Sequence, residues 1–261
     1  AACYERLGFT LTPVSLPRII PEPGRVPETF GAGNRHAIFT HNYLELLGVV
    51  NPQKWAAFPR EQRGPYDLDL PLSRYEGLHV MHFGTDHIEM VKERLDKQGV
   101  ACSGIREFQR NVQTQTGEHM MKARTIHFPP ESNPEGLLQI AQHDTPGLVF
   151  QERYMHHRNG ALALTEIMIV TETPRIYAAK YERYSGHMGK CIANNHFVVD
   201  LGLSRITVID PERLMELIPG FVIPALPFMA AFTIKVADLQ LVCDVLSGNN
   251  VPFIKKAGAV L

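Results

Sequence analysis

Several features are scarce in this chain of 261 residues, and each absence removes a class of function. Charge is balanced, 26 Lys and Arg against 27 Asp and Glu, so no global field favours nucleic acid or an anionic membrane. No apolar run reaches the roughly 18 residues of a membrane span, and no signal-peptide pattern opens the sequence. A soluble, cytoplasmic protein is therefore expected. The four cysteines, Cys3, Cys102, Cys191 and Cys243, lie far apart with no CxxC pair, which excludes a zinc knuckle or a disulfide frame. Cys3, Cys102 and Cys243 fall in or beside helical segments and read as small buried hydrophobes. His143, His156, His157 and His196 make the middle histidine-rich, but without the i,i+4 spacing of a zinc protease. Gly31-Ala-Gly-Asn34 leads into a strand, so no helix N-terminus follows it to hold a dinucleotide.

What the chain does have is a repeat. Four times an amphipathic helix runs into a glycine and then a strand-like stretch: Ala2–Thr10, Val91–Ala101, Ala178–Gly186 and Leu241–Phe253. The glycine closes the last helical turn in the left-handed conformation, which carries no Cβ penalty there. β runs at Leu78–Phe83, Ala163–Val170 and Met229–Val236 precede copies two to four. The strand expected before copy one falls ahead of Ala1, and copy four is cut short at Leu261, so both ends look trimmed. An accessory domain cut from a longer chain would fit such ends.

Each copy reads as strand, helix, Gly turn and further strands. Arg35–Thr40 and Tyr43–Val50 read as a hairpin-like pair. Asn51–Ser73, with Pro52, Pro59, Pro65 and Pro71, shows no sustained period and reads as a long surface connection bearing the only tryptophan, Trp55. In copy two, Ile105–Thr114 and Met120–Phe128 form a hairpin and Gly136–Gln142 a closing strand. Asp144–Asn159 reads as a linker. Asn195–Leu201, Leu203–Ile209 and a short helix from Pro211 complete copy three. The fold class is thus α+β: four tandem βαβββ modules, the first and last incomplete, in two cupped mixed sheets with helices on the convex side. The domains are 1–145 (modules one and two), a linker at 146–160, and 161–261 (modules three and four).

On these modules, with Tyr4-Glu-Arg-Leu-Gly-Phe9 and the strand Tyr43-Leu-Glu-Leu-Leu-Gly-Val49, the chain resembles the vicinal oxygen chelate superfamily. Gly33-Asn-Arg35, Gln142-His-Asp-Thr-Pro146 and His157-Arg-Asn-Gly160 make it similar to glyoxalase-like domain proteins in particular. The resemblance implies a divalent metal on the concave face, held from the first and last strands of paired modules.

Glu45 is the leading candidate, as metal ligand or base, because it interrupts an apolar strand and shares a face with Tyr43. Gln139 takes the equivalent place in module two. His143 lies at that strand's exit as base, pocket lining or loop cap. His79 and His82 point to opposite faces of the first strand, so one of the two is the tentative second ligand. Arg35 is either an oxyanion-steadying group or a cross-strand partner of Glu45. Glu166 and Arg205 are expected to form a buried ion pair, structural or substrate-anchoring. Asn34, Tyr43, Phe39 and Met81 complete the substrate-contacting set. Two functions follow: an enzyme acting on a small oxygenated metabolite (lyase, isomerase or ring-cleavage dioxygenase), or a metal-free sequestering protein. The cofactor is accordingly a divalent ion (Fe, Mn, Ni or Zn) or none, and the partners are a small molecule and, at most, a second copy in a homodimer.

Overall fold

The computed structural model describes residues 1–19, 26, 28–63 and 67–261; Pro65 lies outside them. In chain order come α1 (Ala2–Arg6), the short strands β1 (Arg18–Ile19) and β2 (Glu28–Thr29), then β3 (Ala32–Ile38) and β4 (Tyr43–Val49). Next are α2 (Pro52–Ala57), α3 (Asp69–Arg74), β5 (Val80–Gly84), α4 (Ile88–Lys97), β6 (Arg106–Thr114), β7 (Gly117–His127), β8 (Leu137–His143) and α5 (Pro146–Val149). Then follow β9 (Ala161–Val170), α6 (Pro174–Ser185), β10 (Gly189–Ala193), β11 (His196–Asp200), β12 (Arg205–Ile209) and α7 (Pro211–Leu217). The chain ends with β13 (Phe228–Val236), α8 (Leu239–Gly248), β14 (Lys255–Lys256) and β15 (Ala259–Val260). The class is α+β, with mixed sheets of four and five strands. Among the described residues no helix is long and apolar enough to cross a membrane.

Two compact units emerge by proximity: Ala1–Ser73 with Phe150–Leu164 and Ile234–Leu261, and Arg74–Val149 with Thr165–Thr233. In the second unit, the four-stranded sheet has the order β5-β8-β7-β6, with β5 parallel to β8. The five-stranded sheet, β10-β11-β12-β9-β13, repeats the device: β9, the strand before a helix, lies parallel to β12. Strand β10 carries no sequence signal, because Gly189-Lys-Cys-Ile-Ala193 is an exposed edge without alternation.

Helix α4 presents Ile88 and Leu95 inward and pairs Lys92 with Asp96 and Glu93 with Lys97 outward. Its inward stripe joins Met81, Phe83, Leu138, Ile140, Ile169, Tyr181 and Ile206 in the main core of the second unit. Phe128 stacks on Tyr184 at 3.8 Å. Beneath α6, the fully buried Glu135 accepts from Tyr181 Oη at 2.6 Å and pairs with Lys180. Burial, then the Glu135 charge, push Tyr177 up to about 12.

The repeated Glu-Arg of the helices has a use the sequence did not disclose. Arg94 donates to the carbonyls of Arg183 and Tyr184 at 2.6 and 2.7 Å, while Arg183 donates to Gln98 O at 3.0 Å. Thus α4 and α6 cap each other's C-terminal carbonyls with guanidinium charge. In the first unit Arg6 does the same for α8, donating to Asn249 O and Asn250 O, and Asn249 returns a bond to Arg6 O. The left-handed residue is Gly8 after α1, Gly99 after α4 and Gly186 after α6. After α8 it is Asn250, since Gly248 still belongs to that helix. Asparagine tolerates that conformation through its short polar side chain.

Two sequence expectations are corrected here. Asn51–Ser73 is no bare surface connection: α2 and α3 bury Trp55 with Phe30, Phe58 and Leu68. Arg63 lies over the indole at 3.9 Å and donates to Trp55 O and Phe58 O, while Asp69 receives both Arg63 and the indole N–H. Helices of six residues are too short to show a period. The close approach of α2 also explains Gly31, at φ +97°, where an added Cβ would lie 2.5 Å from Trp55 N.

The Asp144–Asn159 linker likewise ends inside a packed structure. Asn159 donates to Leu7 O at 2.8 Å, and His157 sits between Phe9 and Phe39. His157 Nδ1 accepts from Thr10 N, which leaves Nε2–H to donate to Ile38 O at 2.9 Å. Of the helical cysteines only Cys243 is buried; Cys3 is exposed.

Removing the cross-cap should be costly. Arg94→Ala is expected to lower the unfolding free energy by about 2 kcal/mol, the scale of charge-assisted hydrogen bonds lost to otherwise orphaned carbonyls. Urea denaturation measures this, and Arg94→Lys should restore only part of it because a point charge cannot span both carbonyls.

Candidate functional site

In the first unit the site is built on the hairpin of β3 and β4. Its register pairs His36 with Glu45, Ile38 with Tyr43 and Asn34 with Leu47, which places Asn34, His36, Tyr43 and Glu45 on one face. Asn34 Nδ2 donates to Glu45 Oε1 at 2.5 Å. Glu45 Oε2 lies 3.9 Å from His36 Nε2. The carboxylate side chain keeps 31% of its exposure, whereas His36 keeps 10%, so a solvent-reachable carboxylate sits against a largely buried imidazole. Tyr43 meets the His36 ring edge-on at 5.2 Å and Phe150 at 6.2 Å. His36 was not among the residues picked out from sequence. Its place opposite Glu45 follows once the four-residue connection from Ile38 to Tyr43 fixes the pairing.

Strand alternation sends the neighbouring candidates elsewhere. Arg35 pairs with Leu46 and therefore points to the other side of the hairpin. There it binds Glu5 Oε1 at 2.8 Å and Thr12 O at 2.7 Å, so it is neither an oxyanion group beside Glu45 nor that residue's ion-pair partner. Phe39, expected to line the cup, is almost fully buried against Phe9 and His157. Met81 and its neighbour Phe83 face the core under α4 instead of a cup.

In the second unit, His82 and Gln139 are register partners on β5 and β8, and the Gln139 amide is hydrogen-bonded to His82 Nε2. His79 lies before β5, held by Tyr75 O at 2.7 Å with the two rings 4.1 Å apart. His127 pairs with Gln139 from the other side and bonds Thr125 Oγ1 at 3.0 Å. His143 lies opposite Ala123. Burial first, then Arg110, holds the His143 imidazole below its ordinary value, against the raising effect of Asp144.

Glu166 and Arg205 are register partners on β9 and β12, joined at 2.9 Å. The ion pair expected from the phasing of the two strands is made, although its arginine is half exposed while the carboxylate is buried. Thr207 adds a second bond to Oε1, and Thr233 Oγ1 donates to Oε2 at 2.6 Å. Burial pushes Glu166 up, but the bonds from Arg205, Thr207 and Thr233 outweigh it and hold the carboxyl below the usual range.

These residues do not suit a divalent ion. Both oxygens of Glu166 are engaged, one by a guanidinium, and the amide of Gln139 offers no charge and is tied to His82. His36 and Glu45 supply two donors, one already held by Asn34. Among the described residues no group of three or more His, Cys, Asp or Glu is placed to hold a metal.

A family model described as a glyoxalase-like domain matches residues 1–185. A hypothetical protein from Staphylococcus aureus has a similar structure, with 15% identity and a TM-score of 0.54 over 70% of this chain and 74% of that one. A mutant of 4-hydroxymandelate synthase from Streptomyces coelicolor is similar at 13% identity and a TM-score of 0.50, over 93% of this chain and 70% of that one. At such identities the likeness is one of fold. No curated protein matches the chain.

Burial, as the largest cause, lowers the pKa of His79, His127, His143, His157 and His196 from the ordinary 6.5. Such imidazoles bind fewer protons when folded than when unfolded, so their contribution is complete above that value and is lost as pH falls through the folded pKa values. Melting temperature should therefore fall between about pH 7 and pH 5. His157→Gln should flatten part of that slope, and a melting temperature independent of pH over this window would contradict the assignment.

Proposed function

We propose that this chain, which belongs to the glyoxalase-like domain family of the vicinal oxygen chelate superfamily by its match over residues 1–185, binds a small oxygenated metabolite and moves a proton on it with its own side chains. The observation that carries this reading is the pairing of a reachable carboxylate, Glu45, with the largely buried imidazole of His36 across one hairpin. Asn34 fixes Oε1 and leaves Oε2 directed at the imidazole.

Such a pair suits enolisation beside a carbonyl. Glu45 takes the proton from the adjacent carbon, the C–H electron pair forms the new C=C bond, and the carbonyl π pair moves onto oxygen. An N–H of His36 is the nearby group suited to steady that oxygen. Return of the proton to a different carbon gives isomerisation, and loss of a leaving group gives elimination. A second reading, binding without turnover, draws support from the engaged state of Glu166 and Gln139 and from the aromatic contact of Tyr43 with Phe150.

Exchange of carbon-bound protons in D2O, followed by NMR on small 2-oxo acids and hydroxyaldehydes, tests the proposal. Glu45→Gln should slow exchange by roughly 10²- to 10⁴-fold, the usual worth of a positioned base, and leave ligand binding in place. Exchange that survives Glu45→Gln would overturn the proton-transfer reading. Binding with no exchange in the wild type would establish the sequestering one.

A further inference from the structure

His157 holds together parts of the first unit that only a neutral imidazole can join. The half-buried ring lies 5.6 Å from Phe9, nearly edge-on, and 5.1 Å from Phe39. Both of its nitrogens are used: Nδ1 accepts from Thr10 N at 3.0 Å, and Nε2 donates to Ile38 O at 2.9 Å. The first bond needs the lone pair of an uncharged ring, because a backbone N–H can only donate. A second proton would go to Nδ1, set one donor against another, and place a charge in an aromatic setting partly cut off from water.

Thr10 opens a run, residues 10–15, that lies along β3. Thr12 N donates to His36 O and Thr12 Oγ1 accepts from His36 N, each at 2.9 Å, and Ser15 exchanges backbone bonds with Asn34 at 2.8 and 2.9 Å. Thr12 therefore brackets the peptide of the residue that faces Glu45. Upstream the chain is fixed without His157, since Asn159 donates to Leu7 O and Phe9 N to Tyr4 O. The ionisable groups on the surrounding elements are few. His156, next in the chain, opposes a charge on the ring, as burial does more strongly, while the bond to Ile38 O favours one. Tyr4 stands behind Phe9, and Glu5 binds Arg35, which donates to Thr12 O and Leu11 O. His36 and Glu45 face each other on the hairpin, and His41 and Arg158 are exposed. Among the described residues no carboxylate is bonded to the His157 ring.

We infer that His157 is an acid-operated latch: neutral, it fastens residues 10–15 to the hairpin through Thr10, and protonated, it lets that run go. The released form takes up a proton at the ordinary imidazole value and the fastened form only below it. The latch is therefore complete above about pH 6.5 and weakens by up to tenfold per pH unit as pH falls from there to the fastened value. Release withdraws Thr12 from the His36 peptide, so acid would loosen the imidazole that Glu45 faces. That consequence for catalysis rests on the function proposed above, whereas the latch itself does not.

Native-state hydrogen exchange, read residue by residue by NMR between about pH 7 and about pH 5, tests it. Protection of the Thr12 and Ser15 amides, corrected for the intrinsic rate, should fall by up to tenfold per pH unit below about pH 6.5. The fall should run in step with the titration of His157 followed by its ring nitrogen shifts. Leu44, paired with Ala37 in the β3–β4 ladder that release leaves intact, should stay better protected. In His157→Gln, Thr12 protection should lose its pH dependence. The comparison of His157 titration with Thr12 protection needs only the wild type, so it holds even where the variant fails to fold. Thr12 protection that stays constant while His157 titrates, or that falls equally in His157→Gln, would overturn the latch. So would a common protection for Thr12 and Leu44, the mark of global unfolding. No substrate enters these measurements, so the latch and the proposed proton transfer fail separately.

Discussion

Helix ends organise this protein. An α-helix leaves its last carbonyls unpaired and its C-terminus partly negative, and in this chain an arginine from another helix supplies the remedy. Arg94 and Arg183 exchange the service between α4 and α6, and Arg6 performs it for α8. The Glu-Arg step that recurs before the glycines thus helps set which helix lies beside which. Where the helices go, the sheets must follow, because Met81, Phe83, Leu138 and Ile140 on one sheet and Ile169 and Ile206 on the other bury themselves against the same helical stripes.

With one side of each strand committed to the core, the other is left for polar chemistry. That division explains the placements that matter most. Glu45 and His36 meet because odd and even positions oppose across the hairpin, and Arg35 is carried away by the same rule. Glu166 sits where a ligand would be sought in this superfamily, yet it is spent on Arg205, Thr207 and Thr233. Gln139 is occupied by His82. At Glu166 and Gln139 the polar sheet positions are therefore wired internally.

Much of the architecture was legible because long amphipathic helices and alternating strands write their period into the chain. The Glu166–Arg205 contact was expected from the face each residue takes, and the parallel pairing of β9 with β12 that makes it came only with the structure. What escaped was whatever lacks a period. The edge strand β10 has no alternation, and α2 and α3 are too short to show a stripe, so the stacking of Arg63 on Trp55 was invisible. Candidate residues were harder still. Phe39 and Met81 are apolar on either reading, and only the packing of Phe39 against His157, or of Met81 beneath α4, says which side they face. Asn250 in place of a glycine shows the same limit: the φ requirement is fixed by the helix end, and the residue that meets it is not.

Bound-metal content is the most direct measure of whether the polar sheet positions are satisfied by the protein itself. The chain would be purified without chelators, assayed for iron, manganese, nickel and zinc, and melted with and without each added ion. Substoichiometric metal and an unchanged melting temperature are expected. A stoichiometric ion that raises the melting temperature, and that disappears in Glu166→Ala or Glu45→Ala, would contradict the internal wiring described above.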